Sequence, residues 1–247
     1  EVLIGYDGIS IAQSRKGKPM ALTKSQIYLA LAAEIPVDGQ FVPNTHKKWS
    51  DIDKSLPDIP ILVYGPPPTS GTRDAFVELA MQEGCQALDF MKEQKSKLDK
   101  YAYGNLVKNQ CSRMRQDGPF IEAGENDNLI VQRLEADPNA VGIFGYSFLY
   151  ENEDKLQAIK VNGVKPSFES IASGEYSISR PLFIYVKNAH REVIPGLKEF
   201  VAEYVSDEAM GQDGYLADRG MVPLQPDVLT KTRDAALNGQ RMDVPTN

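Results

Sequence analysis

The 247-residue sequence is poor in several features that would each point to one kind of protein. It has no run of about eighteen apolar residues, so no segment is predicted to cross a membrane as a helix. It has no block of lysine and arginine, which excludes the charge pattern of a nucleic-acid-binding surface. The 34 acidic and 27 basic residues give a net charge of −7. A buried site responds mainly to nearby dipoles and charges, so this acidic total does not exclude anion binding.

Sequence signatures of common enzymes are also missing. There is no Gly-x-x-x-x-Gly-Lys phosphate loop and no Gly-x-Ser-x-Gly nucleophile motif. The only histidines, His46 and His190, lie in no recognisable general-base motif. The acidic residues that follow Gly124 lack the spacing of a calcium loop. The sequence therefore predicts no metal, no cofactor and no enzymatic activity, and a phosphatase with Ser70 as nucleophile is kept only as an alternative hypothesis.

Cysteine is scarce as well, since only Cys85 and Cys111 occur. Such a pair forms one disulfide in an oxidising compartment or remains as two buried thiols. The residues alone leave both alternatives open.

Strand-like and helix-like segments alternate along the chain, which indicates an α/β protein. A helix start is predicted at the capping box of Thr23–Gln26, and a tight hairpin turn at Asn162-Gly163. The stretch 78–115 has helical composition and is predicted to break near Gly84 and Gly104. Three apolar runs are predicted to be buried strands: 59–63, 141–146 and 181–186.

The segment 64–76 carries the strongest functional signal. Ser70, Gly71 and Thr72 supply two hydroxyl groups and a glycine that permits close approach to the backbone, at the predicted start of a helix. Arg73 adds a planar set of donors suited to a tetrahedral oxyanion. Ligands of open α/β sheets lie at the carboxyl ends of strands beside helix N-termini. Two interpretations stay open, a small-anion site and an ordinary helix N-cap.

Six segments spread over nearly the whole chain form a recognisable series: Tyr6–Ile9, Trp49–Ile52, Pro68–Phe76, Gly124–Asn128, Val141–Tyr146 and Gly214–Ala217. Together, and in this order, they resemble the phosphate-binding protein of bacterial ABC-type phosphate uptake systems. The resemblance implies an α/β fold of the two-lobed type II periplasmic binding protein kind, with hinge strands. Residues 1–13 and 181–247 are expected to form lobe I, and residues 14–180 lobe II.

The resemblance carries the family's Ser-Gly-Thr phosphate ligands onto Ser70, Gly71 and Thr72. Some members place an arginine before this turn, where this chain has Pro66, and we expect Arg73 to take its place. The first-lobe anion turn of the family is absent from this sequence, which opens directly in a predicted strand. We therefore expect an incomplete lobe I, with an N-terminal segment and a signal peptide lying outside the sequence.

By the same resemblance, the protein is expected to be a monomeric periplasmic receptor that delivers inorganic phosphate to an ABC permease. Export to the periplasm favours a disulfide between Cys85 and Cys111. A carboxylate that accepts the proton of phosphate would distinguish it from sulfate, and Asp7 is our candidate. The alternative for Asp7 is a turn or hinge aspartate that is hydrogen-bonded to the backbone. Another oxyanion, such as sulfate, molybdate or a phosphonate, is the alternative ligand.

Overall fold

The structure is a computed structural model that describes residues 1–124 and 126–242; Glu125, from the predicted Gly124–Asn128 segment, lies outside them. The chain divides into two compact units. The first unit comprises Glu1–Gly8, Ser167–Glu175 and the chain from Ser179 onward, and the second comprises Ile9–Pro166 and Tyr176–Ile178. These bounds differ from those of the expected lobes, and the division at residues 13 and 180 stays a prediction.

Strands and helices alternate, which confirms the predicted α/β class. None of the helices in the described ranges has the length and hydrophobicity needed to cross a bilayer. The strands are β1 Val2–Ser14, β2 Ala21–Leu22, β3 Glu34–Val37, β4 Gln40–Pro43, β5 Val63–Gly65, β6 Phe120–Glu122, β7 Val141–Gly145, β8 Leu156–Ala158, β9 Lys160–Val161 and β10 Ser179–Ile184. The α-helices are α1 Lys24–Leu31, α2 Trp49–Ile52, α3 Gly71–Phe76, α4 Glu83–Gln86, α5 Asp89–Lys97, α6 Lys100–Leu106, α7 Asp127–Ala136, α8 Tyr146–Glu151, α9 Phe168–Ala172, α10 Leu197–Tyr204, α11 Asp207–Met210 and α12 Pro226–Leu237.

The sheet of the second unit brings several strand ends to one edge. From Ile9 onward, β1 pairs antiparallel with β7 and β8. Strand β5 pairs parallel with both β6 and β7, so the carboxyl ends of these three strands lie side by side. The strand predicted over 59–63 begins only at Val63. Pro60 explains the later start, because it has no amide hydrogen to donate to a ladder.

A continuous helical run follows β5. Helix α3 passes into a π-helical turn, Val77–Gln82, and then into α4 without interruption. The break predicted near Gly84 falls three residues later, at Ala87 and Leu88 between α4 and α5, and Gly84 itself lies inside α4. A Cβ there would stand 2.1 Å from the Lys24 carbonyl oxygen, so glycine lets α1 approach α4. The break predicted near Gly104 is wrong, since Gly104 lies inside α6, and the helix start nearest to it is capped by Asp99, five residues earlier.

The predicted disulfide is present. Cys85 of α4 is bonded to Cys111, which ends the π-helical turn Val107–Cys111, and the two Cα atoms are 5.6 Å apart. Both cysteines are fully buried. The bond therefore ties the helical run that begins at Gly71 to the segment that follows α6.

In the first unit, β1 pairs antiparallel with β10 as far as Gly8. Its core contains Val2 and Ile4 with residues of α10, α11 and α12. The apolar run 181–186 was predicted to be buried, yet its residues alternate. Leu182, Ile184 and Val186 pack against this core, whereas Phe183 and Tyr185 are exposed.

Candidate functional site

The Ser-Gly-Thr turn lies at the carboxyl edge of the second unit's sheet. Strand β5 ends at Gly65, the three prolines follow, and Ser70 precedes α3. The Ser70 hydroxyl oxygen accepts a hydrogen bond from the Thr72 amide over 3.2 Å. The Ser70 carbonyl oxygen accepts from the Arg73 amide over 3.0 Å. The N-cap interpretation is therefore confirmed. Because the amides of Thr72 and Arg73 already donate to Ser70, the donors that remain for a ligand are mainly side-chain groups.

Arg73 is held against the same edge. Its Nη1 donates to the Pro66 carbonyl oxygen over 3.0 Å. Its guanidinium carbon lies 4.6 Å from the centre of the Phe120 ring, a cation–π distance. The Glu122 carboxylate stands 4.0 Å from Nη1, and the Arg73 side chain is 12% exposed. These contacts fix the guanidinium before any ligand arrives.

Burial lowers the pKa of Arg73 from its usual value, and the carboxylates of Glu122 and Asp74 oppose that shift. Because the ordinary value lies far above neutrality, the group remains a cation. Within residues 1–124 and 126–242, Nε and Nη2 make no hydrogen bond, and neither does the Thr72 hydroxyl. The turn therefore carries a positioned cation with an unused pair of donors, one to three residues along the chain from the Ser70 and Thr72 hydroxyls.

Asp7 belongs to the first unit. It lies on β1 directly opposite Arg180 of β10, whose Nη2 and Nε donate to its carboxylate over 3.2 and 3.3 Å. Burial raises the pKa of Asp7, and the Arg180 guanidinium acts against that rise. A side-chain cation thus holds this carboxylate, where the hinge interpretation expected backbone groups. The acceptor role of Asp7 stays a prediction.

The arrangement around Ser70 does not resemble that of a serine nucleophile. In the described part of the chain, no histidine hydrogen-bonds the Ser70 hydroxyl. His46 Nδ1 lies 3.2 Å from the Leu29 carbonyl oxygen. His190 belongs to the first unit. A hydrolase needs a base within hydrogen-bonding reach of its nucleophile, and neither imidazole meets that condition here.

Comparison with known proteins identifies the superfamily of this chain. Residues 1–208 match a family model described as a PBP superfamily domain. The chain belongs to this superfamily. It is 27% identical over 227 residues to the phosphate-binding protein PstS of Staphylococcus haemolyticus, a match that covers 88% of this chain and 57% of that protein. It is 29% identical over 216 residues to Protein SphX of Synechocystis, covering 84% of this chain and 52% of that protein. The chain thus spans little more than half the length of these curated relatives.

Solved structures share the fold of this chain. A possible phosphate binding protein from Planctomyces limnophilus superposes with a TM-score of 0.66 at 23% identity, covering 97% of this chain and 72% of that one. An ABC-type phosphate transport receptor from Vibrio cholerae gives a TM-score of 0.55 at 19% identity, covering 91% of this chain and 71% of that one. The predicted fold family is therefore confirmed.

Proposed function

We propose that this protein is a non-enzymatic receptor for inorganic phosphate, and that the Ser70–Arg73 turn binds the anion. The observation that carries the proposal is the state of Arg73, a cation fixed by Pro66 and Phe120 with Nε and Nη2 unused. Its place beside a Ser-Gly-Thr turn, in a chain similar to proteins named for phosphate binding, supports phosphate as the ligand. Ser70, Gly71, Thr72 and Arg73 form the proposed ligand set, and Asp7 stays a candidate acceptor.

Phosphate is strongly hydrated, so a receptor must replace its water with fixed donors. Hydrogen bonds to a charged partner contribute roughly 1.5–3 kcal/mol each. Arg73 is the most valuable of them, because a guanidinium presents two parallel donors to two oxygen atoms. Its side chain is already ordered in the folded protein, so little further ordering is needed when the anion binds.

The rest of the proposal concerns what happens to the bound anion. No histidine hydrogen-bonds the Ser70 hydroxyl in the described part of the chain, which favours a receptor over a hydrolase, and release to a membrane permease of the ABC type is the proposed outcome. The periplasm is the proposed location, which the Cys85–Cys111 disulfide supports, because disulfides persist in oxidising compartments. We propose that the receptor acts as a monomer.

Isothermal titration calorimetry with inorganic phosphate tests the proposal. We expect saturable binding that Arg73→Ala weakens by about tenfold or more, the effect of losing one charge-assisted contact. Arg113→Ala is the matched control, because Arg113 is an arginine of the same unit whose guanidinium is exposed and lies 3.3 Å from Glu34. Equal weakening by both variants, or no phosphate binding by the unaltered chain, would refute the proposal. Competition with sulfate, molybdate and a phosphonate identifies the preferred oxyanion, and a chromogenic phosphate ester tests for hydrolysis.

A further inference from the structure

We propose that the second unit carries another ligand site, separate from the Ser70–Arg73 turn, for a small monocarboxylate with an apolar substituent. The site is a cavity of about 420 Å³ between the edge of the sheet and α7. Ser70, Thr72 and Arg73 do not line it, so the proposal does not depend on the proposed phosphate-binding function. Cavities of this size are typical of sites that bind small molecules.

The sheet forms one wall of the cavity. Tyr64 of β5 and Ile121 of β6 are paired in register, so their side chains lie next to each other on one face of the sheet. Strand β6 pairs with β5 alone among the described strands, and Ile121 is 39% exposed. A large apolar side chain therefore contacts water inside a concave surface, where a ligand with an apolar part would cover it.

Helix α7 forms the opposite wall. Its buried residues Ile130 and Leu134 pack against β7, because a Cβ at Gly142 would stand 2.7 and 2.8 Å from their side chains. A different stripe of α7 lines the cavity, with the i, i+3, i+4, i+7 spacing of one helix face: Leu129, Gln132, Arg133 and Ala136. The two ends of this stripe are apolar, and its middle is polar.

The polar groups of the cavity include donors that are not used. The Arg133 guanidinium carbon lies 5.9 Å from the centre of the Tyr64 ring. Across residues 1–124 and 126–242, the Arg133 guanidinium, the Tyr64 hydroxyl and the Gln132 amide make no hydrogen bond, and Arg133 makes no ion pair. Glu122 also lines the cavity, but its Oε1 lies 4.0 Å from Arg73 Nη1 and its charge acts on that cation. Arg133 is therefore the charged group of the cavity that has no charged partner in the described part of the chain.

These features define the chemistry of the ligand. A guanidinium presents parallel donors that match the two oxygen atoms of a carboxylate. The Tyr64 hydroxyl is a further donor in the same cavity. An apolar substituent would cover Ile121 and Leu129, which are 39% and 45% exposed, and gain free energy in proportion to the area removed from water. Phosphate lacks the apolar part and a neutral amide lacks the charge, so neither matches both features.

Titration of isocaproate and of benzoate into the isotopically labelled chain, followed by amide NMR shifts, tests the proposal. We expect saturable binding in the millimolar range or tighter, with the largest shifts at the residues that line the cavity. Acetate lacks the apolar part and benzamide lacks the charge. Both are expected to bind at least about tenfold more weakly than benzoate.

Substitutions on α7 test the two halves of the site. Arg133→Gln is expected to weaken benzoate binding by about tenfold or more, because it removes the charge from an exposed helical position. Arg113→Gln is its control, since Arg113 is an exposed arginine of the same unit outside the cavity. Leu129→Ala is expected to weaken binding about threefold, and Leu98→Ala, which truncates another exposed leucine of this unit, to leave it unchanged. The same spectra report folding, so loss of binding is not mistaken for unfolding.

Arg73→Ala distinguishes this cavity from the Ser70–Arg73 turn. Both this variant and an excess of phosphate are expected to leave benzoate binding unchanged. The proposal is overturned if neither carboxylate binds, if benzamide binds as tightly as benzoate, or if Arg133→Gln has no more effect than Arg113→Gln. Loss of benzoate binding in Arg73→Ala alone would assign the carboxylate to the turn and overturn the proposal as well. A chain that binds benzoate but no phosphate would refute only the proposed receptor function.

Discussion

Removal of the Cys85–Cys111 disulfide gives the prediction whose magnitude can be worked out most directly. The two cysteines are 26 positions apart in the sequence. In the chain-entropy model, a cross-link that closes a loop of this length lowers the entropy of the unfolded chain by about 12 cal/mol/K, which is about 3.5 kcal/mol at 25 °C. We therefore expect the variant Cys85→Ala with Cys111→Ala to lose roughly 2–4 kcal/mol of unfolding free energy.

Urea denaturation of the oxidised chain, of the same chain in dithiothreitol and of the double variant measures this difference. Reduction and double substitution are expected to lower the midpoint by similar amounts, and dithiothreitol is expected to leave the double variant unchanged. Because both sulfur atoms are buried in the second unit, a spectroscopic probe in that unit should report the loss. Tryptophan fluorescence serves this purpose, since the single tryptophan, Trp49, is buried there.

Two outcomes would refute the reasoning. A loss below about 1 kcal/mol would show that the unfolded chain gains little entropy when the loop opens, against the loop-closure estimate. A double variant much less stable than the reduced chain would show that packing of the two buried side chains, and not the cross-link, carries the stabilisation.

Two helical glycines and one ion pair give further predictions about the unfolding free energy. The glycine substitutions should change it in opposite directions, and the contribution of the ion pair should depend on pH. Gly84→Ala should lower the unfolding free energy by about 2 kcal/mol, because the new Cβ would stand 2.1 Å from the Lys24 carbonyl oxygen. Gly104→Ala should raise the unfolding free energy by about 0.5–1 kcal/mol, because Gly104 lies inside α6 with open space around it. Urea denaturation that ranks the two variants in the opposite order contradicts the packing argument. Arg115 donates to Asp117 over 2.6 and 2.7 Å and lowers the pKa of Asp117. The stability due to this pair is present above the ordinary aspartate pKa of 3.8 and is lost as the pH falls through the lower pKa of the folded protein. Asp117→Asn should therefore destabilise the chain at pH 7, and the difference should shrink as the pH is lowered below 3.8; a difference in unfolding free energy that does not shrink in acid would refute this assignment.

Local signals that depend on one short segment were read correctly from the sequence. Thr23 and Gln26 form the reciprocal capping box predicted for α1. Asn162 and Gly163 adopt positive φ values of 49° and 86°, as a tight hairpin turn requires. Val161 and Val164, on either side of the turn, form an antiparallel bridge. Such signals succeed because the residues that decide the backbone conformation are neighbours in the chain.

Signals that depend on distant partners were read less well. Gly84 looks like a helix breaker until α1 is placed against it, since the reason for glycine is a carbonyl group sixty residues earlier. Phe183 and Tyr185 belong to a continuous apolar run, but the burial of each residue depends on which face of β10 the core of the first unit covers. Periodicity describes one strand and says nothing of what packs on its two faces.

At the candidate site, too, the sequence did not reveal which groups contact Arg73. The resemblance to phosphate receptors pointed to Ser70, Gly71 and Thr72, and it left the arginine uncertain because Pro66 stands where some members carry one. The structure gives Pro66 a role of its own, since its carbonyl oxygen accepts the hydrogen bond that holds Nη1 of Arg73. A backbone acceptor is available from any residue at that position, so no side-chain motif could have indicated it.

Phe120 and Glu122 were missed for a related reason. They lie about fifty residues beyond Arg73, on a three-residue strand whose position is defined only by its parallel pairing with β5. That pairing places an aromatic face under the guanidinium and a carboxylate beside it, so burial of the cation is compensated within the fold. The free energy needed to desolvate and orient Arg73 is therefore expended when the second unit folds, so the proposed oxyanion ligand would meet donors that are already in place. The net charge of −7 does not oppose this, because the groups that act on the site are the few that touch Arg73.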